Sequence, residues 1–142
     1  MRDELKSLII LFKAYNSIEK NVKQSLANTE INVNEFTAME ALYVKGSLTT
    51  KELINTVLIP NSSMTYVLEI LSKKKYLTKE KNKNDKRIQI IALTELGTKV
   101  FEEIYEKHFS YMRSIFNVLN KDEELQLQSL LKKLGKQAEE VV

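Results

Sequence analysis

The stretch PNSSMTYVLEILSKKKYLTKEKNKNDKRIQIIAL, residues 60–93, changes its hydrophobic period once, and that change decides the fold. Met64, Val67, Leu68 and Leu71 recur at three- and four-residue steps, the apolar stripe of a helix. Pro60 suits the first turn of that helix, where a missing N–H is no loss. Beyond it the period shortens to two. Tyr76–Lys81 and Arg87–Leu93 predict two strands, the second rich in β-branched residues. Asn82-Lys83-Asn84-Asp85 between them tolerates the backbone angles of a tight reversal, so the pair predicts a β-hairpin over Leu77–Leu93.

Upstream, Thr49 and Glu52 have capping-box spacing and predict a short helix through Leu53 and Ile54. Before it, Asn34 is the expected N-cap of a helix through Phe36, Met39, Leu42 and Tyr43, closed at Gly46. The first helix carries Leu5, Leu8, Ile9, Phe12, Tyr15, Ile18 and Val22 as one stripe. Downstream, Thr94 caps a long helix with Phe101, Ile104, Tyr105, His108, Phe109, Met112 and Phe116 on one side. Asn120 and Glu123 then open a last helix striped by Leu127, Leu130, Leu131 and Leu134.

Charge is distributed unevenly. Lys73–Arg87 holds eight Lys and Arg against only Glu80 and Asp85, a local +6 in a chain of formal net charge +3, which leaves −3 for the remainder. A mildly acidic body with one basic segment is the electrostatic footprint of a phosphate-binding surface. Lys73–Lys75 at a helix C-terminus also satisfy the macrodipole with no ligand present, so the run alone leaves both readings open.

Composition narrows the rest. With 142 residues, 43% hydrophobic and 29% charged, one compact helical unit with an added assembly element is expected. The absence of cysteine removes disulfides, thiolate metal sites, Cys nucleophiles and thiol redox sensing. One histidine, three glycines and no recognisable nucleophile–base ordering point to no catalytic residues, no metal and no cofactor. No apolar run approaches the roughly 20 residues of a membrane span, and the N-terminus is acidic, so a cytoplasmic chain without a membrane partner is expected.

Two short helices, a brief break and a hairpin with a basic tip form the organisation of a winged helix-turn-helix. The major groove, roughly 12 Å wide, admits one helix, and the minor groove, roughly 6 Å wide, admits an extended arm carrying Arg or Lys. Leu48-Thr49-Thr50-Lys51-Glu52-Leu53, Ser62-Ser63-Met64-Thr65 and Leu71-Ser72-Lys73-Lys74-Lys75-Tyr76-Leu77 resemble the helix-turn-helix of the MarR family of bacterial transcriptional regulators. Asp85-Lys86-Arg87 followed by Leu93-Thr94-Glu95-Leu96-Gly97 resembles that family's wing signature. The expected architecture is mainly α with a small β-hairpin wing, a winged helix-turn-helix flanked by long N- and C-terminal dimerisation helices. Its parts would be residues 1–28 for the first dimerisation helix, 29–97 for the DNA-binding region and 98–142 for the C-terminal helices.

The resemblance implies a homodimer on a pseudo-palindromic double-stranded operator, with a repressor's role. The residues support dimerisation separately, because the stripes of the first, fifth and sixth helices exceed what a small winged domain covers. By position, Arg87 would enter the minor groove or grip its phosphates, with Asp85 orienting it and Lys83 and Lys86 on phosphates. Asn61, Ser62, Ser63, Thr65 and Tyr66 would face DNA from the reading helix, and Thr49 and Thr50 would donate to backbone phosphate or serve as caps. Tyr66 stands where many members have Arg, which shifts readout toward an A·T-rich site. Leu58, Ile59 and Lys75 replace or lack frequent glycines, leaving local loop geometry open.

The family's effectors, small phenolic or amphipathic molecules, suggest a ligand pocket from Phe12, Tyr15, Phe36, Tyr43 and Tyr105, although aromatic stripes at helical spacing are also ordinary core. His108 is expected as a satisfied interface residue. The competing reading is a winged-helix protein-interaction module without direct DNA readout.

Overall fold

The computed structural model describes residues 3–57, 59 and 61–142, without the side chains of Asp3, Asn61 and Ser62. Pro60 and Leu58, and the expectations placed on them, lie outside the described residues. The elements run α1 (Lys6–Leu26, after a 3-10 turn at Asp3–Leu5), α2 (Val33–Lys45), β1 (Leu48–Thr49), α3 (Thr50–Thr56), α4 (Asn61–Lys73), β2 (Leu77–Lys81), β3 (Gln89–Leu93), α5 (Glu95–Phe116) and α6 (Lys121–Val141). Two compact units divide the chain after His108.

In the first unit, local chemistry sets most boundaries. Asn32, not Asn34, caps α2: its Oδ1 accepts the Glu35 N–H at 2.8 Å while Glu35 Oε1 accepts the Asn32 N–H at 2.9 Å. This reciprocal pair satisfies two orphan donors at once, and Asn34, inside the first turn with no carboxylate three residues on, offers no such exchange. Gly46 ends α2 at φ +80°, its N–H on the Leu42 carbonyl. The Thr49–Glu52 box starts α3 as its spacing predicts.

Helix α4 closes in a Schellman turn, with the Tyr76 N–H on Leu71 O and the Lys75 N–H on Ser72 O, both 3.0 Å. Lys75 therefore sits at φ +66°, in the left-handed region that favours glycine. Using its N–H in this cap keeps Tyr76 out of the strand, so β2 begins one residue later than the alternation suggests. The hairpin pairs Leu77 with Leu93 through to Lys81 with Gln89. A third strand, β1, for which the sequence carries no signal, joins the other edge of β3. It pairs Leu48 with Ile91 and Thr49 with Ile90, to give the antiparallel order β1-β3-β2. Two residues are too few to show alternation.

The core gathers Met39 of α2, Leu53 of α3, Met64 and Leu71 of α4, Ile91 of β3 and Phe101 of α5, all fully buried. It fixes α4 and the hairpin on one scaffold. Thr94 joins hairpin to α5: its Oγ1 accepts the Gly97 N–H at 2.9 Å and donates to Lys75 O at 2.7 Å, and its N–H reaches Tyr76 O at 3.0 Å. Gly97 is packed so closely here that a Cβ would lie 2.1 Å from Tyr76 O.

The second unit, residues 109–142, comprises the end of α5 and α6. Asn120 and Glu123 form the expected capping box. Arg113 grips Glu124 through both guanidinium Nη atoms, which holds the Glu124 carboxyl below its ordinary range, and its Nε donates to Asn117 Oδ1 at 2.9 Å. No residue of α6 is buried.

Candidate nucleic-acid interface

Helix α4 turns Met64, Val67, Leu68 and Leu71 into the core and so presents its opposite side outward. Thr65 and Tyr66 are exposed and Ser63 is half-buried, whereas the Asn61 and Ser62 side chains lie outside the described residues. In front of α4, Thr49 is committed as the α3 cap, its Oγ1 accepting the Glu52 N–H at 3.1 Å. The returned bonds hold the Glu52 carboxyl below its usual value. Thr50 Oγ1 is buried with no hydrogen-bond partner among the described residues.

The wing tip is built on side-chain-to-backbone bonds. Asn82 Oδ1 accepts the Asn84 N–H at 2.8 Å and the Asp85 N–H at 3.3 Å, and the Asn82 N–H reaches Ile88 O at 2.8 Å. The Arg87 guanidinium grips Asp85 with Nε on Oδ1 and Nη2 on Oδ2, both 3.1 Å, and the Arg87 N–H adds a third bond of 3.1 Å. These bonds, the side-chain pair first, hold the Asp85 carboxyl below the ordinary range. The Arg87 side chain is 90% exposed. An ion pair so open to water adds little to stability, so what it supplies is orientation: it fixes an arginine at the end of a flat arm. The same bonds explain why β3 starts at Gln89 and not at Arg87. Lys83 and Lys86 are exposed beside it.

A cleft of about 740 Å³ opens between the β1–α3 junction and the wing, lined by Thr49, Thr50, Lys51, Asn55, Lys81, Lys86 and Arg87 with Ile54, Ile88 and Gln89. Among the described residues, four cations and no carboxylate line it. Sequence reasoning misses Lys51 and Asn55. Their i,i+4 spacing on α3 puts them on one exposed face, but nothing in the sequence says that β1 brings this face opposite the wing.

The expected ligand-pocket residues do not converge on one cavity. Phe36 is core, with its ring centroid 5.3 Å from that of Phe101. Tyr43 and Tyr105 flank Phe101 at 4.9 and 5.6 Å. Phe12 and Tyr15 stand on α1 at 59% and 61% exposure, outside that cluster. His108 lies against Phe36 at 4.7 Å and bonds Ser25 Oγ through Nδ1 at 2.8 Å. Because the Ser25 hydroxyl donates to Val22 O, the imidazole N–H is the donor, and burial depresses the His108 pKa.

An outward helix beside a basic, arginine-tipped hairpin defines a winged helix-turn-helix module with a cationic face suited to a polyanion. The MarR family profile matches residues 31–89, the stretch from the start of α2 to the wing. The chain is 30% identical over 127 residues to the uncharacterized HTH-type transcriptional regulator YpoP of Bacillus subtilis, covering 89% of each. It is 28% identical over 136 residues to the HTH-type transcriptional regulator MhqR of the same organism, covering 96% of this chain and 94% of that one. Among solved structures, the fold superposes on a mutant MarR from E. coli complexed with operator DNA with a TM-score of 0.78, at 22% identity over 94% of this chain and 99% of that one.

The chain belongs to the MarR family and is a DNA-binding transcriptional regulator of winged helix-turn-helix type. The reading as a protein-interaction module without DNA contact is not supported. No helix among the described residues is long and apolar enough to cross a membrane.

Proposed function

We propose that this chain represses transcription as a homodimer on a pseudo-palindromic operator and that a small amphipathic or phenolic ligand releases it. The observation that carries the dimer is the apolar surface left without cover at both ends of the chain. Leu8 and Phe12 on α1 and Leu130, Leu131 and Leu134 on α6 are 43–65% exposed. Side chains of this size are stabilised by roughly 1.5–3 kcal/mol each on full burial, and a second copy offers the same faces in return. Residues 1–28 and 98–142 then serve assembly, and residues 29–97 serve DNA.

On the DNA side, α4 reads base edges through Asn61, Ser62, Ser63, Thr65 and Tyr66, and the wing sets Arg87, oriented by Asp85, toward the minor groove with Lys83 and Lys86 on phosphates. The hydroxyl proton of Thr49 serves the DNA backbone, whereas the Thr50 hydroxyl expected beside it is buried and does not reach a phosphate. With Tyr66 in place of an arginine, bidentate guanine contacts are missing from this helix, which favours an A·T-rich half-site. Selection of bound fragments from random duplexes tests the reading. Two inverted arms about one helical turn apart, A·T-rich at their centres, are expected; a single unrepeated arm contradicts it.

A further inference from the structure

In the basic run at the end of α4, Lys73 pairs with Glu69 at 3.6 Å, and Lys74 is engaged by acceptors of the chain itself. Lys74 Nζ donates to the Glu30 carbonyl at 2.5 Å and stands 3.6 Å from the carboxylate of Glu35, a buried residue. The buried Tyr76 donates its hydroxyl to the Glu30 carboxylate. That bond, ahead of burial, pushes the phenol pKa up to about 12, so the donor keeps its proton across the neutral range. On the other side, Thr94 at the start of α5 holds the same turn through Lys75 O and Tyr76 O. The loop that carries Glu30 is in turn tied to the end of α1, since the Thr29 N–H and hydroxyl reach Leu26 O at 3.1 and 2.7 Å. The turn between the reading helix and the wing is thus bonded to the end of α1, to α2 and to the start of α5.

What this joint controls follows from how α1 is held. Among the described residues of α1 only Leu26 is buried, and next to it Ser25 Oγ meets His108 Nδ1 at 2.8 Å. A helix of 21 residues is about 31 Å long, so α1 is a lever fastened at one end. A pivot of about 6° at Leu26 moves the far end by about 3.4 Å, the rise of one base pair. We propose that Glu30, Tyr76 and Lys74 are positioning residues that fix the angle between α1 and the unit of α4 and wing, and thereby set the operator-arm spacing that two joined copies accept. Glu30 acts through two groups, its carboxylate on Tyr76 and its carbonyl on Lys74, so the turn is held at two points. Glu30 is exposed, so its bonds add little to stability, and their effect is on geometry. The spacing consequence rests on the homodimer reading above; the fixed angle within one chain does not.

Two measurements on the full chain test this. Because the chain has no cysteine, Lys13→Cys and Lys79→Cys confine spin labels to α1 and β2. Pulsed dipolar spectroscopy of labelled chain diluted into excess unlabelled chain then reads the distance within one chain, without DNA. Tyr76→Phe, which keeps the ring in the core, and Glu30→Ala are each expected to broaden or shift the distribution by about 2 Å or more, the effect of such a pivot halfway along the lever. Glu30→Gln, whose amide oxygen still accepts the phenol, is expected to restore it. In duplex titrations, one base pair added between the arms is expected to weaken the wild type at least about tenfold and both variants at most about twofold, with affinity for a single arm equal in all three. A distance distribution that neither substitution changes, no recovery in Glu30→Gln, or losses equal for a single arm and for every spacing overturns the proposal. If the wild type ignores spacing while both variants broaden the distance, the dimer reading fails and the fixed angle stands.

Discussion

Gly97→Ala isolates the joint between the wing and α5. The added Cβ would stand 2.1 Å from the Tyr76 carbonyl oxygen and 2.9 Å from its carbon, and both belong to backbone, which no rotamer change can move aside. Relief requires a shift of about 1 Å between the start of α5 and the α4–β2 turn. That shift strains the Thr94 N–H bond to Tyr76 O at 3.0 Å and the Thr94 hydroxyl bond to Lys75 O at 2.7 Å. Overpacking of this kind costs about 1–3 kcal/mol and each of the two weakened bonds about 0.5–1.5 kcal/mol, so a loss of about 2–6 kcal/mol is expected. Gly135→Ala is the control. Its Cβ meets nothing within 4 Å in the interior of α6, so the same substitution gains up to about 1 kcal/mol of helix propensity. Urea unfolding at one fixed protein concentration measures both. A Gly97→Ala loss below about 1 kcal/mol, or a loss equal in the two variants, refutes the close approach as the reason for glycine at this position.

Arg87→Ala is expected to weaken duplex binding and to flatten the slope of log affinity against log salt by about two units in anisotropy titrations, about one for each of the two wings that loses its cation. Lys75→Gly, which relieves a left-handed backbone at φ +66°, is expected to stabilise the chain by up to about 1 kcal/mol in chemical denaturation, whereas Lys75→Val is expected to destabilise it. Burial depresses the His108 pKa below 6.5, so the unfolded chain takes up this proton first as pH falls. The wild type therefore loses stability below pH 6.5 relative to His108→Gln, and the difference between their thermal midpoints narrows or reverses between about pH 7.5 and about pH 5.5.

The elements legible in the sequence are those whose signal is local. The stripe Met64, Val67, Leu68, Leu71, the box Thr49–Glu52 and the alternation of residues 77–93 each rest on a few neighbouring residues, and each matches the structure. Asn32 and Asn34 are both acceptable caps in isolation; the reciprocal bond from Glu35 separates them, and its spacing is present in the sequence to be read. Strand β1 is illegible there, since two residues acquire their identity only from the edge of β3. The same holds for Lys51 and Asn55, whose place in the cationic cleft depends on that pairing. Lys75 shows a different limit: the missing glycine leaves the turn open, yet the turn keeps its left-handed geometry and the lysine bears the strain. The aromatic residues expected in one pocket divide between the core and separate faces, because a helical stripe records which side is apolar and not what covers it.

The proposed dimer joins two copies through α1, α5 and α6 and carries two wings to one duplex. Sedimentation equilibrium of the purified chain, alone and with a selected duplex, measures this directly. A free species of twice the 16.5 kDa chain mass and a complex of two chains per duplex are predicted. A free species of single chain mass that binds duplex one chain at a time, with no coupling between arms, contradicts it.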